Sequence, residues 1–382
     1  MTDVARKGTP STWFLALAHG LNDGYGSFLS ALLPLLIDRL GLSLALAGLL
    51  SSIRTSVASF AQPPVGMAVD RVGARWFVLV GPALTTTAMC LLGVLPTYWA
   101  AATALVAAGI GTAAFHPAAA SLVAAHGNRR GITMALFSAG GTIGSAVGPL
   151  LIAAVVGRFA MSATLALLLP AWALVALLVW AIPRGPRPAA QARLKLRYHP
   201  NAGQLARLWS IVVLREIVGS SYFTFLAVLW TRRGAPLTLA SLSLTVYALA
   251  GAVGDIVGGR LSDRFGRRRV IVGSLVGALP CLYLFLLSDG WLSLLFLALA
   301  AVMLLASSPV SVVLGQELFP QQRGTVSGVL MGLAWGVGGL LITLVGYFGD
   351  LLGLNVALGI LTCLLVPAAL LGVGLKEPAP TG

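Results

Sequence analysis

The chain has 382 residues, of which 58% are hydrophobic and only 9% carry a charged side chain. Soluble domains carry charge on about 25% of their residues, so this composition excludes a water-soluble enzyme and predicts an all-α polytopic membrane protein. At about 20 apolar residues per span, the chain is long enough for about twelve transmembrane helices.

Apolar runs bounded by charged residues, glycine or proline predict twelve spans in chain order. In the first half they cover residues 12–37, 44–68, 76–95, 98–124, 131–155 and 161–183. In the second half they cover residues 208–231, 238–259, 270–288, 291–315, 324–348 and 353–375. This order predicts two six-helix bundles, residues 1–183 and 208–382, joined by a basic cytoplasmic linker at 184–207.

The basic residues behind the net charge of +14 lie mainly in loops on one predicted side of the membrane. This distribution argues against a nucleic-acid partner. Of the 25 lysines and arginines, 19 fall in loops that share a side with both termini, and four fall in the opposite loops. Because basic residues concentrate in cytoplasmic loops, we expect both termini in the cytoplasm and a bacterial-type inner (plasma) membrane location. One chain holds both halves, so we expect a monomer in the lipid bilayer.

Several ionisable side chains fall inside predicted spans, where a charge is costly and usually functional. Asp23 and Arg54 lie near the middle of the first and second spans, and Arg215 and Glu216 lie in the seventh. His19 precedes Asp23 by four residues, so the two share a helix face. The pair predicts a proton-coupling site, with Glu216 as a further candidate. The alternative is a static hydrogen-bonded pair that fixes helix packing.

Two carboxylates and two arginines inside the membrane favour an anionic substrate such as a phosphonate, phosphate or carboxylate. The alternative is that these charges pair only with each other. The three cysteines show no paired spacing, and no cluster with metal-ligand spacing is present. We therefore expect no cofactor and no metal, only the proton as coupling ion.

The two halves of the sequence match at a fixed offset of 193 residues. GMAVDRVGAR at 66–75 aligns with GRLSDRFGRR at 259–268, and Asp23 aligns with Glu216. Six spans are therefore duplicated to make twelve, in two parallel halves.

The repeated pattern Gly–x–x–x–Asp–Arg–x–Gly–x–Arg resembles the loop signature of the major facilitator superfamily. The resemblance implies twelve transmembrane helices in two six-helix bundles, alternating access to a central site, and a cytoplasmic gate. The implied gate residues are Gly66, Asp70, Arg71, Arg75, Gly259, Asp263, Arg264 and Arg268, with Asp255 near them.

Each residue type in this motif has an expected contact. We expect Gly66 and Gly259 to let a helix end approach a neighbour closely, and Asp70 and Asp263 to face a helix N-terminus. The arginines are suited to carboxylates or to the carbonyl ends of helices; the alternative is that they only anchor the loops inside. The first copy departs from the pattern at Ala74, where a basic residue is usual.

Glycines recur every four residues on two predicted spans. The fifth span carries Gly140, Gly144 and Gly148 before Pro149, and GTIGSAVGP there resembles the fifth-span motif of drug–proton antiporters. The eleventh span repeats the spacing from Gly324 to Gly336. Small faces permit close helix packing in lipid, so ordinary packing is the alternative to an antiporter role.

Longer stretches of the first half resemble fosmidomycin-resistance-type exporters, namely HGLNDGYGSFLSALLPLL at 19–36 and AAFHPAAASLVA at 113–124. The resemblance implies a central polar site made of His19, Asn22, Asp23, Gln62, Phe115, His116 and Pro117. With Arg54 and Arg215 as further substrate-binding candidates, the leading interpretation is proton-coupled export of a small molecule. The alternatives are a metabolite importer or uniporter on the same fold, and a membrane sensor that does not transport. The sequence contains no nucleotide-binding loop of the GxxxxGK[ST] type, so an enzyme that hydrolyses ATP is not supported.

Overall fold

The computed structural model describes residues 12–124, 130–182 and 201–377. These residues form helices and no strand. The first half contains α1 (Thr12–Gly26), α2 (Phe28–Leu40), α3 (Leu44–Phe60), α4 (Gln62–Val72), α5 (Arg75–Leu91), α6 (Tyr98–Ala124), α7 (Arg130–Phe159), a 3-10 segment (Met161–Leu167) and α8 (Leu168–Ala181). The second half contains α9 (Ala202–Arg232), α10 (Leu237–Phe265), α11 (Arg267–Leu287), α12 (Gly290–Leu318), α13 (Arg323–Ser327), a π-helical segment (Gly328–Leu333), α14 (Ala334–Leu340), α15 (Ile342–Leu352), α16 (Leu354–Thr362) and α17 (Leu365–Val373).

Within the described residues, ten helical stretches are long and apolar enough to cross a membrane. The two other predicted spans correspond to the α1–α2 pair, which is interrupted at Ser27, and to α5, which has 17 residues. Helix α5 is apolar but shorter than the ten, and α1 and α2, with 15 and 13 residues, are also shorter than the ten. The all-helical, multi-span fold predicted from the sequence is confirmed.

The predicted linker at 184–207 falls mostly outside the described residues, as do Arg6, Lys7 and Arg129 of the predicted cytoplasmic loops. Its last six residues, 202–207, are helical and belong to α9, which corrects the predicted boundary. The physical reason is local anchoring. Asn201 Nδ2 donates to the Leu318 carbonyl at 3.1 Å, and the Arg207 guanidinium donates to the Gly374 carbonyl.

The described residues divide into two compact units. The first comprises residues 12–40, 53–124, 130–182 and 236–245. In it, α1 packs along α7 and α5 packs along α6. Its buried core includes Leu15, Ala18, Phe115 and Phe137, which surround the face of α1 that carries His19.

The second unit comprises residues 41–52, 201–235 and 246–377. In it, α11 packs along α12, and α9 packs against α14 and α17. The Tyr222 hydroxyl on α9 lies 2.8 Å from the Thr362 hydroxyl on α16, and both side chains are fully buried. These contacts hold α9, which carries Arg215 and Glu216, at the centre of its own unit.

An arginine closes a helix end in a similar way in each half. Arg39 donates to the carbonyl oxygens of Leu92 (2.8 Å) and Leu95 (2.9 Å), just beyond α5. Arg233 donates in the same way to the Leu286 carbonyl at 2.7 Å, at the end of α11. Carbonyls at a helix C-terminus lack hydrogen-bond partners within the helix, and each arginine supplies donors to them. Its positive charge also interacts favourably with the negative end of the helix dipole.

Candidate functional site

The predicted contact between His19 and Asp23 is present, and a second histidine joins it. His19 Nε2 lies 3.0 Å from Asp23 Oδ2 on the same face of α1. His116 Nε2, on α6, lies 3.1 Å from Asp23 Oδ1. The side chains are 12%, 23% and 29% exposed for His19, Asp23 and His116, so the carboxylate lies between a more buried and a less buried imidazole.

The Phe137 carbonyl oxygen fixes the hydrogen positions on His19. Nδ1 lies 2.8 Å from that oxygen, and a carbonyl only accepts hydrogen bonds, so Nδ1 carries a hydrogen. Nε2 then shares one proton with Asp23: the proton is on Nε2 if the carboxyl group is ionised, and on Oδ2 if the imidazole is neutral. Without this proton, a nitrogen lone pair would face a carboxylate oxygen at 3.0 Å.

Two residues that the sequence reasoning did not select hold His19 in place. The Phe137 ring stacks on the imidazole with centroids 4.1 Å apart. Gly141, one turn further along α7, leaves room for it: a Cβ there would lie 2.5 Å from His19 Cε1. The contact with the Phe137 carbonyl could not be predicted from residue types, because every residue has a backbone carbonyl. Gly141, however, is one position from the predicted glycine stripe.

Of the other predicted members of the central site, some lie beside the His19–Asp23 pair and one does not. Asn22 is fully buried and donates to Asp23 Oδ1 at 3.0 Å. Phe115 is buried with its ring 5.7 Å from the His19 ring. Arg54 is half-buried and lies near enough to Asp23 to interact with its charge. Gln62 instead donates to the Ala58 carbonyl at 3.2 Å, and the structure gives it no contact with the cluster.

The three clustered side chains form a set of possible metal ligands that the sequence did not indicate, and the expectation of no metal and no cofactor stays a prediction. His19, Asp23 and His116 each offer one ligand atom, all within 4.8 Å of one another, and such a set could hold a metal ion. Sequence spacing could not show this because His116 comes from a distant helix. The atoms are already hydrogen-bonded to one another at 3.0 and 3.1 Å, so protons account for the arrangement as it stands.

Glu216, which aligns with Asp23 in the repeat, has different neighbours. Its Oε1 accepts a hydrogen bond from Ser220 Oγ at 2.7 Å, and its Oε2 lies 3.5 Å from Arg215 Nη2. Gly338 on α14 packs against the stem of the side chain, since a Cβ there would lie 2.9 Å from Glu216 Cγ. Asp255 on α10 is exposed and near enough to Arg215 to interact with its charge. The second unit therefore has no histidine–carboxylate cluster around Glu216 among the described residues.

The first glycine stripe packs directly against α1. A Cβ at Gly140, Gly144 or Gly148 would lie about 2.1–2.2 Å from the carbonyl oxygens of Ala16, Gly20 and Gly24, respectively. Helix α7 continues through Pro149 to Phe159. The stripe thus sets the distance between α1, which carries His19 and Asp23, and α7, which carries Phe137.

The second stripe behaves differently. A Cβ at Gly324, Gly328 or Gly332 would meet no atom within 4 Å among the described residues. The π-helical segment Gly328–Leu333 also interrupts the four-residue register. Equal spacing therefore does not produce equal packing in the two halves.

The repeated motif lies on helices rather than in a loop, which corrects the prediction. The residues from Gly66 to Arg71 lie on α4, and those from Gly259 to Arg264 lie on α10. A Cβ at either first glycine would meet no described atom within 4 Å, so the expected close approach is absent from this structure. The later glycines make the turns: Gly73 has φ 96° and Gly266 has φ 92°.

The second motif copy centres on Arg267, which the sequence reasoning did not select. Its guanidinium donates to Asp263 at 2.5 Å, to Ser262 Oγ at 2.8 Å and to Glu317 at 3.1 Å. Arg267 occupies the position of Ala74 in the first copy, and Glu317 that of Ala124. The departure at Ala74 already indicated this difference between the halves, whereas the loss of the second partner at Ala124 was not predicted.

A different carboxylate from the expected one meets the N-terminus of α11. The backbone N–H of Arg268 donates to Glu377 at 2.6 Å, whereas Asp263 pairs with the Arg267 side chain. In this structure Asp263 has a charged partner in the nearby arginine, and the expected contact with a helix N-terminus stays a prediction. The structure gives Asp70 no hydrogen bond or ion pair with any described residue.

The remaining motif arginines have separate positions. Arg75 Nη2 donates to the Val179 carbonyl near the end of α8 at 2.8 Å, the kind of contact expected at a carbonyl end. Arg264 lies over the Phe265 ring at 5.2 Å, and Arg71 is exposed. The role of these residues in a gate stays a prediction.

Comparisons with known proteins agree with this architecture. The fosmidomycin resistance protein of Escherichia coli (strain K12) is 30% identical over 352 residues, covering 88% of this chain and 85% of that protein. An uncharacterised transporter of the major facilitator type from Bacillus subtilis (strain 168) is 29% identical over 372 residues, covering 92% of this chain and 90% of that protein.

Solved structures share the fold at low identity. A bacterial homologue of the human lysosomal transporter Spinster, in an inward-facing and occupied conformation, superposes with a TM-score of 0.85 at 16% identity, covering 97% of this chain and 98% of that one. A D-xylose–proton symporter superposes with a TM-score of 0.74 at 16% identity, covering 96% and 97%.

The sequence itself matches the Major Facilitator Superfamily over residues 13–232 and again over residues 208–382. The matches span both halves of the repeat, and they include all ten helical stretches of the described residues that are long and apolar enough to cross a membrane. The chain therefore belongs to the Major Facilitator Superfamily, as a membrane transporter rather than an enzyme, and it resembles the fosmidomycin-resistance branch.

Proposed function

We propose that the protein is a proton-coupled antiporter that exports a small anionic molecule by alternating access across a bacterial inner membrane. The observation that carries the proposal is the geometry of His19, whose Nδ1 lies 2.8 Å from the Phe137 carbonyl oxygen and whose Nε2 lies 3.0 Å from Asp23 Oδ2, an arrangement that suits a shared proton. Kinship with a protein named for fosmidomycin resistance supports a small molecule as the substrate and export as the direction.

The geometry links protonation to conformation. With the proton in place, the His19–Asp23 contact at 3.0 Å is favourable. When the proton leaves, the one remaining N–H of the imidazole can serve either the Asp23 carboxylate or the Phe137 carbonyl. A nitrogen lone pair then faces an oxygen at the other contact, which favours rotation of the imidazole or a shift of the helices. A site that holds its geometry only when protonated can drive an alternation between two states.

The charged groups around Asp23 suit such a site. Apart from His19, the ionisable groups that face it are His116 from α6 and Arg54 from α3. Among the described residues, helix α7 contributes the Phe137 carbonyl and ring and the space left by Gly141, none of which is ionisable. Partial exposure of His116 provides a route by which water can exchange protons with the carboxylate.

Resistance measurements in an efflux-deficient bacterium test the proposal. Wild type, Asp23→Asn and His19→Gln are expressed at matched membrane levels, and growth is measured on a compound panel that includes fosmidomycin. We expect the wild type to protect and both variants to lose protection, since neither can share a proton as the pair does. In everted vesicles with an acidic interior, the protective compound should discharge the pH gradient through the wild type only.

The matched control is Asp38→Asn, an exposed carboxylate on α2, which should protect like the wild type. Full protection by Asp23→Asn would overturn the proton site. Protection against no compound, together with uptake of a metabolite, would favour the importer alternative.

A further inference from the structure

Arg215 is a buried cation with too few acceptors. Its side chain is 3% exposed, and its Nε and Nη1 atoms are buried without a hydrogen-bond partner among the described residues. Buried donors are nearly always satisfied, because losing water without gaining an acceptor is costly. The position of Arg215 therefore indicates an acceptor that the described residues do not supply.

Glu216 does not fill that role. Its Oε2 is 3.5 Å from Arg215 Nη2, beyond the roughly 2.7–2.9 Å of a charge-assisted hydrogen bond. The Ser220 hydroxyl holds the other oxygen at 2.7 Å, and Gly338 packs against the stem. The carboxylate is thus held in a position that balances part of the charge of Arg215 but leaves Nε and Nη1 free.

We infer that Arg215 binds the acidic group of the transported molecule, a phosphonate, phosphate or carboxylate, through Nε and Nη1. An oxyanion offers several lone pairs, and the planar guanidinium matches them better than an ammonium group does. Arg54, the other arginine inside the predicted spans, has no nitrogen atom that is both buried and unpartnered among the described residues. The inference rests on the proposed anionic substrate and assigns its acidic group to the second unit, apart from the proton site in the first.

The pairing of Arg215 with Glu216 makes opposite predictions for two adjacent residues. Removing the guanidinium removes the donors. Removing the charge of Glu216 instead removes repulsion against an incoming anion and leaves the donors in place. A purely structural role for the pair would make the two substitutions act in the same direction.

Anion binding to the full-length protein, purified in a phosphate-free maltoside detergent, tests the inference. The probes are methylphosphonate and inorganic phosphate at constant ionic strength, and the readout is the rise of Tm with probe concentration, since a ligand of the native state stabilises it. We expect Arg215→Gln to weaken apparent affinity by at least about tenfold, the loss of one charge-assisted hydrogen bond. Glu216→Gln should bind as tightly as the wild type or more tightly.

Two further variants keep the result decisive. Arg215→Lys keeps the charge but not the planar donor arrangement, and it should bind more weakly than the wild type even if Arg215→Gln fails to fold. Arg232→Gln, an exposed arginine on the same helix, is the matched control and should bind like the wild type.

The inference is overturned if neither probe raises the Tm of the wild type, if Arg215→Gln binds normally, or if Glu216→Gln weakens binding as much as Arg215→Gln. Loss of binding in Arg54→Gln alone would also overturn it and move the anion to the first unit. The assay needs neither transport nor a pH gradient, so failure of proton coupling would leave this result unaffected.

Discussion

At the scale of single residues, the turn glycines of the repeated motif are the most constrained positions. Gly73 has φ 96° and ψ 155°, and Gly266 has φ 92° and ψ 155°, a region that only glycine adopts readily. Both turns join a helix that ends in the motif to the helix that follows. The second glycine of each motif copy is therefore needed for its backbone, whereas the first meets no described neighbour.

Replacing Gly73 by alanine should destabilise the protein by about 1–3 kcal/mol through backbone strain. Gly266→Ala should cost more, because its Cβ would displace the Glu377 carboxylate, 2.8 Å away, from its hydrogen bond with the Arg268 N–H. Thermal unfolding of the purified protein measures both as a lower Tm. Gly157→Ala, on an exposed part of α7, is the control and should keep or raise Tm, since alanine favours a helix. A wild-type Tm for Gly73→Ala would contradict the strain argument.

The sequence predicts the proton site only in part, and the reason is physical. The four-residue spacing of His19 and Asp23 predicts their contact because both lie on one helix. His116 meets them through helix packing, and the Phe137 carbonyl is a backbone group that every residue possesses, so spacing identifies neither contact. The repeat aligns Asp23 with Glu216, yet their neighbours differ: two imidazoles in one case, a guanidinium and a hydroxyl in the other.

At the scale of helices, equal glycine spacing produces two outcomes. On α7 the glycines contact α1 so closely that a Cβ at Gly144 would lie 2.1 Å from the Gly20 carbonyl oxygen. On the eleventh predicted span, Gly332 lies in the π-helical segment and meets no described atom within 4 Å. Spacing predicts which residues share a face, but only packing decides whether a neighbour occupies that face.

Gly144→Ala should therefore destabilise the protein while Gly332→Ala does not. The α1 backbone must move to accept the new methyl group, which typically costs about 1–3 kcal/mol in a packed interior. Because α1 carries His19 and Asp23, resistance should fall together with Tm. The control substitution at Gly332 should stay within about 0.5 kcal/mol of the wild type. Equal Tm losses at both glycines would show that the close approach of α1 and α7 is not the cause.

At the scale of the whole molecule, the halves share a fold but not their ionic contacts. In the second half, Arg267 on α11 pairs with Asp263 on α10 and with Glu317 on α12. Ionic contacts therefore link three helices. The first half carries alanine at both corresponding positions, Ala74 and Ala124. The duplication predicts helix number and order well, since these depend on apolar length. It does not predict the charge pairs, because single substitutions remove them without changing the fold.

The distribution of basic residues predicts the orientation of the protein in the membrane. With 19 basic residues on one side and four on the other, both termini should be cytoplasmic. In a background with Cys90, Cys281 and Cys363 changed to serine, Asp289→Cys should react with a membrane-impermeant maleimide in intact cells, since the Asp289 side chain is 91% exposed in a loop on the less basic side. Arg71→Cys, exposed in the first motif copy, should react only after the cells are permeabilised. The reverse labelling pattern would mean that the basic loops face outward, and the Asp263–Arg267–Glu317 cluster would then lie on the outer side of the membrane.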